Sequence, residues 1–169
     1  MKSLFLSLLV ILSANVFSQT VKTSNMIKDP IVFIDGTRSD IKQMHKLSPS
    51  DIISVSVFKG DDAIAKAGPE AKDGVLYIET KPFVRNQYWK YFASKSPEYA
   101  SAIKSVDDFN TTQYVINGRI VTENVDKTLS GINDKNFRSL VLINQEDLLK
   151  QYRVKDKKYG VIILSDPRH

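Results

Sequence analysis

Two stretches of the chain repeat one pattern of hydrophobic and polar positions. Ile31-Val32-Phe33-Ile34 is a short apolar run that ends in Asp35-Gly36, and Tyr114-Val115-Ile116 ends in Asn117-Gly118. Asp, Asn and Gly tolerate positive φ, so both endings predict a tight turn after a strand. Next, residues 53–58 (ISVSVF) alternate apolar with small polar side chains, which predicts a half-buried strand. Their counterpart, residues 138–143 (RSLVLI), is apolar on both faces and predicts a more central strand. Residues 61–67 and 146–152 are helix candidates. Each opens on two acidic residues, which suit the positive end of a helix dipole. Each copy then closes on a strand that begins at glycine, GVLYIET from Gly74 and GVIILS from Gly160, with Pro82 and Pro167 beyond it. Aligned on these glycines, the copies predict matching positions for Gly74 and Gly160.

A connector separates the copies. Residues 86–95 place Tyr88, Tyr91, Phe92 and Lys95 at helical spacing, with Trp89 beside them. Ser96-Pro97 restarts a helix, with Ser as cap and Pro in the first turn. Tyr99, Ile103 and Val106 form its apolar face. An aromatic stripe of this kind belongs to a core or, alternatively, to a stacking surface presented by Trp89, Tyr88 and Tyr91.

The strand–helix–strand pattern predicts an α+β fold: a mixed sheet with short packed helices, two related units and a helical joint. The expected divisions are 1–18, an export signal; 19–29, an extension; 30–82, the first unit; 83–110, the connector; and 111–167, the second, diverged unit. The first division rests on Met1-Lys2, the apolar run 4–12 (LFLSLLVIL) and small Ser18 before Gln19, which read as a secretory signal peptide. The run is about half of the roughly 18 residues needed to cross a bilayer, so no transmembrane span is expected in the mature chain. These features point to export, with a periplasmic or outer-membrane-associated location.

Composition narrows the chemistry. The chain of 169 residues has no Cys and two His, His45 and His169. Thiolate zinc sites, iron–sulfur clusters, disulfides and cysteine nucleophiles are excluded, and no Cys follows the apolar run to carry a lipid anchor. The sequence shows no nucleophile elbow, zinc-protease helix, Walker loop or dinucleotide fingerprint, so no cofactor, metal or catalytic residue is assigned. Asn133-Asp134-Lys135-Asn136 lacks the Gly and Glu of a calcium loop and reads as a turn. The carboxylates Asp61, Asp62, Glu70, Asp107, Asp108, Glu146 and Asp147 are the candidates for hydrolysis by a carboxylate pair. The formal net charge is +5. Lys155, Lys157 and Lys158, with Lys150 and Arg153 nearby, form a basic cluster. It suits an anionic envelope component or an acidic partner, or simply a solvated loop. No nucleic-acid-binding module is present, so no nucleic-acid partner is expected.

Three segments in order resemble the plug domain of TonB-dependent outer-membrane receptors. Pro30-Ile31-Val32-Phe33-Ile34-Asp35-Gly36 is similar to the family's P-x-hydrophobic-x-I-D-G strand and turn. Residues 47–60 (LSPSDIISVSVFKG) resemble its L-x-P-x-D-I-x-S-I-x-V-L-K-G segment, and residues 73–81 (DGVLYIETK) its N-G-V-I-x-I-x-T-K strand. The family helix ends in Tyr-Gly, where this chain has Ala67-Gly68 and, in the second copy, Tyr152-Arg153. The resemblance implies a plug-like fold and an envelope compartment. It does not imply transport, because a receptor barrel needs many more strands than the residues after Lys81 supply. The expected function is therefore a non-enzymatic binding module with an envelope protein or anionic component as partner. The alternatives are an accessory component of an uptake system and a small hydrolase.

Overall fold

The computed structural model describes residues 29–166. The expected export signal at 1–18, Pro167 and His169 lie outside the described residues.

The Asp-Gly and Asn-Gly pairs set the first element of each unit. Asp35 and Gly36 have φ of 53° and 77°, and Asn117 and Gly118 have 50° and 78°. Two consecutive positive φ values match the twist of a two-residue hairpin turn. Each pair therefore folds the strand back into a short partner: β1 (Ile31–Ile34) into β2 (Thr37–Ser39), and β5 (Thr112–Ile116) into β6 (Arg119–Ile120). The sequence pattern did not predict β2 or β6, which are too short to carry a period.

The first unit continues through α1 (Ile41–Met44), β3 (Ile52–Phe58), α2 (Gly60–Ala67) and β4 (Val75–Thr80). Its sheet order is β2-β1-β4-β3, with β1 parallel to β4 and β3 antiparallel to β4. The connector follows as α3 (Lys81–Lys95) and α4 (Pro97–Ala102). The second unit adds α5 (Val125–Ser130), β7 (Phe137–Asn144), α6 (Gln145–Tyr152) and β8 (Tyr159–Ser165). Its order, β6-β5-β8-β7, repeats the first unit with the same strand directions. The fold is α+β, with two mixed four-stranded sheets.

The repetition reaches single side chains. Asp35 accepts from the backbone and the hydroxyl of Thr80, each at 2.8 Å. Asn117 accepts from Ser165 N at 3.0 Å and donates to Ser165 O at 2.9 Å. In both units the turn residue thus fastens the end of the central strand. Both edge strands also shift register at one place, between Ile52 and Ser54 and between Phe137 and Ser139.

The glycine alignment needs correction by one position. Asp35 N donates to Ile78 O and Asn117 N donates to Ile163 O, both at 2.9 Å. Ile78 is therefore the counterpart of Ile163, and Val75, not Gly74, is the counterpart of Gly160. The two glycines have different physical reasons. Gly74 has φ 107° and lies just before β4, where a side chain would strain the backbone. Gly160 lies inside β8 under α6. A Cβ there would stand 2.7 Å from Ile143 Cγ1 and 2.8 Å from Leu148 Cδ1. In the first unit Val75 lies under Ala63, the residue of α2 that corresponds to Leu148 of α6. The large partner is on the strand in one unit and on the helix in the other, so the same space is filled twice with the volumes exchanged.

The connector decides where the main core forms. Helix α3 starts at Lys81 rather than at residue 86, because Pro82 suits a first helical turn as well as a strand end. Its buried residues Val84, Tyr88 and Phe92 recur every four positions. They join Tyr99, Ile103, Leu129, Tyr114, Val161 and Ile163 in one cluster against the second sheet. Trp89 Nε1 donates to Ile103 O at 2.8 Å and ties α3 to the end of α4. Ser96 caps α4 as its sequence predicts, accepting from Tyr99 N.

Two strand expectations are overturned for this reason. Strand β7 is an edge strand and not a central one. Its apolar residues arise because Leu140 and Leu142 pack against the core while α6 covers part of the other face. In the first unit Val55 and Val57, which correspond to Leu140 and Leu142, are 52% and 49% exposed. The connector has been used on the second sheet, and only Ile53 of β3 touches its cluster.

The volume exchange predicts a coupled pair of substitutions. Gly160→Ala should destabilise the protein by about 1–3 kcal/mol through overpacking. Gly160→Val combined with Leu148→Ala, which copies the first unit, should cost much less than the sum of the two single changes. Urea unfolding of the four variants measures this coupling.

Candidate functional site

The residues expected to form an interaction surface do not form one surface. Tyr88 is 3% exposed and belongs to the core, which corrects its reading as part of a stacking platform. Its ring stacks on Phe109 at 5.1 Å and meets Tyr114 edge-on at 6.4 Å, because it lies on the face of α3 that the second sheet buries. Trp89 is half-buried and held by Ile103. Tyr91 packs edge-on against Phe137 at 5.8 Å, and its hydroxyl donates to Asp134 at 3.1 Å. Lys95 binds the same carboxylate at 2.7 Å, so residues 133–136 are a turn fastened to α3.

The lysines diverge too. Lys157 Nζ donates to Asn110 O at 2.8 Å. Lys158 lies over the Tyr159 ring at 5.0 Å, and Lys155 is exposed. Only Tyr88 and Lys157 come together, in the lining of a cavity of about 380 Å³ between the connector and the second unit. Its charged centre is Asp126, 7% exposed. Asp126 accepts from Arg85 Nε at 2.8 Å, Arg85 Nη2 at 3.2 Å and Tyr88 OH at 2.9 Å. Gln113 donates to two carbonyls, those of Tyr114 and Val121. These groups serve one another and pin α3 to α5, so the cavity's chemistry is absorbed by the fold.

The candidate carboxylates are likewise engaged in structure. Asp61, Asp62, Glu146 and Asp147 stand in the first turns of α2 and α6. Asp108 accepts from the backbone N–H groups of Lys104 and Ser105. Glu70 pairs with Arg38, whose hydrogen bond and charge hold its carboxyl below the usual range, opposite to what a general acid needs. Among the described residues no group of three His, Asp or Glu could hold a metal ion.

A second opening has a different character. On the α2 side of the first sheet lies a groove of about 430 Å³ that is lined in part by Ser54, Ser56, Phe58, Lys66, Tyr77 and Glu79. Gln87 of α3 and the Gly36 turn complete one side. Tyr77 stacks on Phe33 at 4.7 Å with the rings 5° from parallel, and Phe58 stands edge-on at 5.7 Å. Ser56, the cross-strand partner of Tyr77, is too short to cover the ring, which stays only half-buried. Ser54 donates to Glu79 Oε2 at 2.6 Å. Lys66 Nζ lies over Phe58 at 5.3 Å. The side chains of Ser56 and Gln87 make no hydrogen bond with any described residue.

The second unit shows that the fold does not require these groups. By strand register, Ser56 corresponds to Val141, Tyr77 to Ile162 and Glu79 to Leu164. Val141 and Leu164 are 55% and 50% exposed. In the sequence Ser56, Tyr77 and Glu79 read only as strand positions. The signal that could have found them was the difference between the two copies, which is visible only in the correct register. Comparison with protein-family models, with curated proteins and with solved structures returns no match.

The buried tyrosines give the core a pH dependence. Burial, then the charge of Asp126, pushes the Tyr88 hydroxyl well above its usual value. Burial does the same to Tyr114, and it pushes Tyr99 up to about 12. A raised value in the folded state means stability that is complete below the unfolded value of about 10 and is lost as pH rises through the folded value. Circular dichroism should therefore hold up to about pH 10 and fall cooperatively above it, with tyrosinate absorbance rising in the same step. Tyrosinate absorbance that rose fully while the fold persisted would contradict this burial.

Proposed function

We propose that the chain is an exported, non-enzymatic binding module of the cell envelope, built from two plug-like units. The observation that carries this reading is the groove on the first unit. Ser56, Tyr77 and Glu79 converge there at positions where the second unit has the aliphatic Val141, Ile162 and Leu164, with Lys66 and the amide of Gln87 beside them. Groups that a fold does not need, gathered in a concave place, are the usual mark of a binding site. The apolar run at 4–12 supports export, and the plug-like motifs support an envelope setting. Binding in preference to catalysis is supported by the carboxylates: four stand in first helical turns, Asp108 accepts from backbone N–H groups, and Glu70 pairs with Arg38.

A photoreactive amino acid at Ser56 of the full-length protein tests the reading. Irradiation of cells should give a discrete covalent adduct, and Glu79→Leu should remove it. The same label at Lys127, exposed on α5, should give none. Equal labelling from both positions, or none from Ser56, would overturn the proposal.

A further inference from the structure

The groove also carries information about its ligand, an inference that rests on the binding reading above. We infer that it takes a sugar ring of a saccharide chain. Its volume, about 430 Å³, lies within the size range of small-molecule sites. Its centre is an aromatic ring that is held rigidly. Tyr77 cannot turn away, because Phe33 lies parallel to one face and Phe58 meets it edge-on. A fixed, half-buried aromatic ring offers a flat apolar surface, which suits the C–H face of a pyranose.

The polar groups around that ring match the other half of a sugar. Hydroxyls both donate and accept, so their site needs both kinds of partner. Lys66 supplies donors, Glu79 supplies acceptors, and Gln87 and Ser56 supply both. Glu79 uses Oε2 to accept from Ser54, which orients the carboxylate and leaves Oε1 for a ligand. One cation faces one anion, so local charge is balanced. This argues against a phosphate or polyanion, which would call for an excess of cations. An apolar partner suits the second unit's aliphatic positions and not these.

The second unit supplies the decisive variants. Ser56→Val copies Val141 and fills the space beside Tyr77. Glu79→Leu copies Leu164 and removes the acceptor. The protein already folds with these residues at the equivalent places. Tyr77→Ala would be a poorer choice, since it removes a ring that Phe33 and Phe58 pack against.

The test is a nuclear magnetic resonance titration of the isotope-labelled protein with three saccharides: cellotriose, chitotriose and trigalacturonate. At least one of the two uncharged chains should bind with a Kd of about 1 mM or tighter. Amide shifts should be concentrated at Ser54, Ser56, Lys66, Tyr77 and Gln87. Ser56→Val and Glu79→Leu should each weaken binding by about tenfold or more while the rest of the spectrum stays in place. Preference for trigalacturonate, no shifts with any of the three, or shifts that survive both substitutions would overturn the inference. Should Ser56 crosslink to a protein while all three saccharides fail, the saccharide is wrong and the binding module stands. Should both fail, the binding reading falls with it.

Discussion

A helical connector can cover only one sheet, and this chain has two. The side chains Val84, Tyr88 and Phe92 lie on one face of α3 and go to the second sheet. Everything else follows from that allocation. The large aromatic core forms over Tyr114, Val161 and Ile163. The first sheet retains a small cluster of Ala63, Ala71 and Val75 beneath α2, and its β3 valines stay exposed. Identical topology has therefore produced unequal support. The polar joint of Arg85, Tyr88 and Asp126 strengthens the same choice by fixing α3 to α5 of the second unit. Buried as it is, Asp126 would be costly to leave without its donors.

This inequality gives the two units different freedom. In the second unit the connector-facing side of the sheet is committed to the core, and on the other side α6 sits so close that Gly160 has no room for a side chain. In the first unit α2 approaches the strand through the small residue Ala63, and the sheet beyond it is open. The groove around Tyr77 occupies that open part. Duplication of one fold thus leaves one copy to hold the structure and the other to display chemistry. The exposed valines of β3 lie on the opposite face, toward which the connector's covering does not extend.

What was legible in the sequence is what local chemistry determines. Asp35-Gly36 and Asn117-Gly118 announced their turns, because positive φ is a property of the residues themselves. Ser96 announced its cap. The short helices announced their acidic first turns. The place of β7 was not legible, since an apolar strand reads alike at the edge and in the centre when helices cover it. Nor was the register of Gly160, because its reason lies in contacts with Ile143 and Leu148 rather than in its own backbone. Gly68 and Arg153 teach the converse. They differ in sequence, yet both end their helices at positive φ, 89° and 63°. The groove was illegible because Ser56, Tyr77 and Glu79 become unusual only beside their counterparts Val141, Ile162 and Leu164.

Two sheets of one topology are unequally supported in this chain. Native-state hydrogen exchange of the central strands tests it directly, since β4 and β8 have equivalent neighbours on both sides. Equivalent amides should differ: Val161 and Ile163 of β8 should exchange only through global unfolding, and Leu76 and Ile78 of β4 through a smaller opening of lower free energy. Equal protection of the two strands at every denaturant concentration would contradict the account.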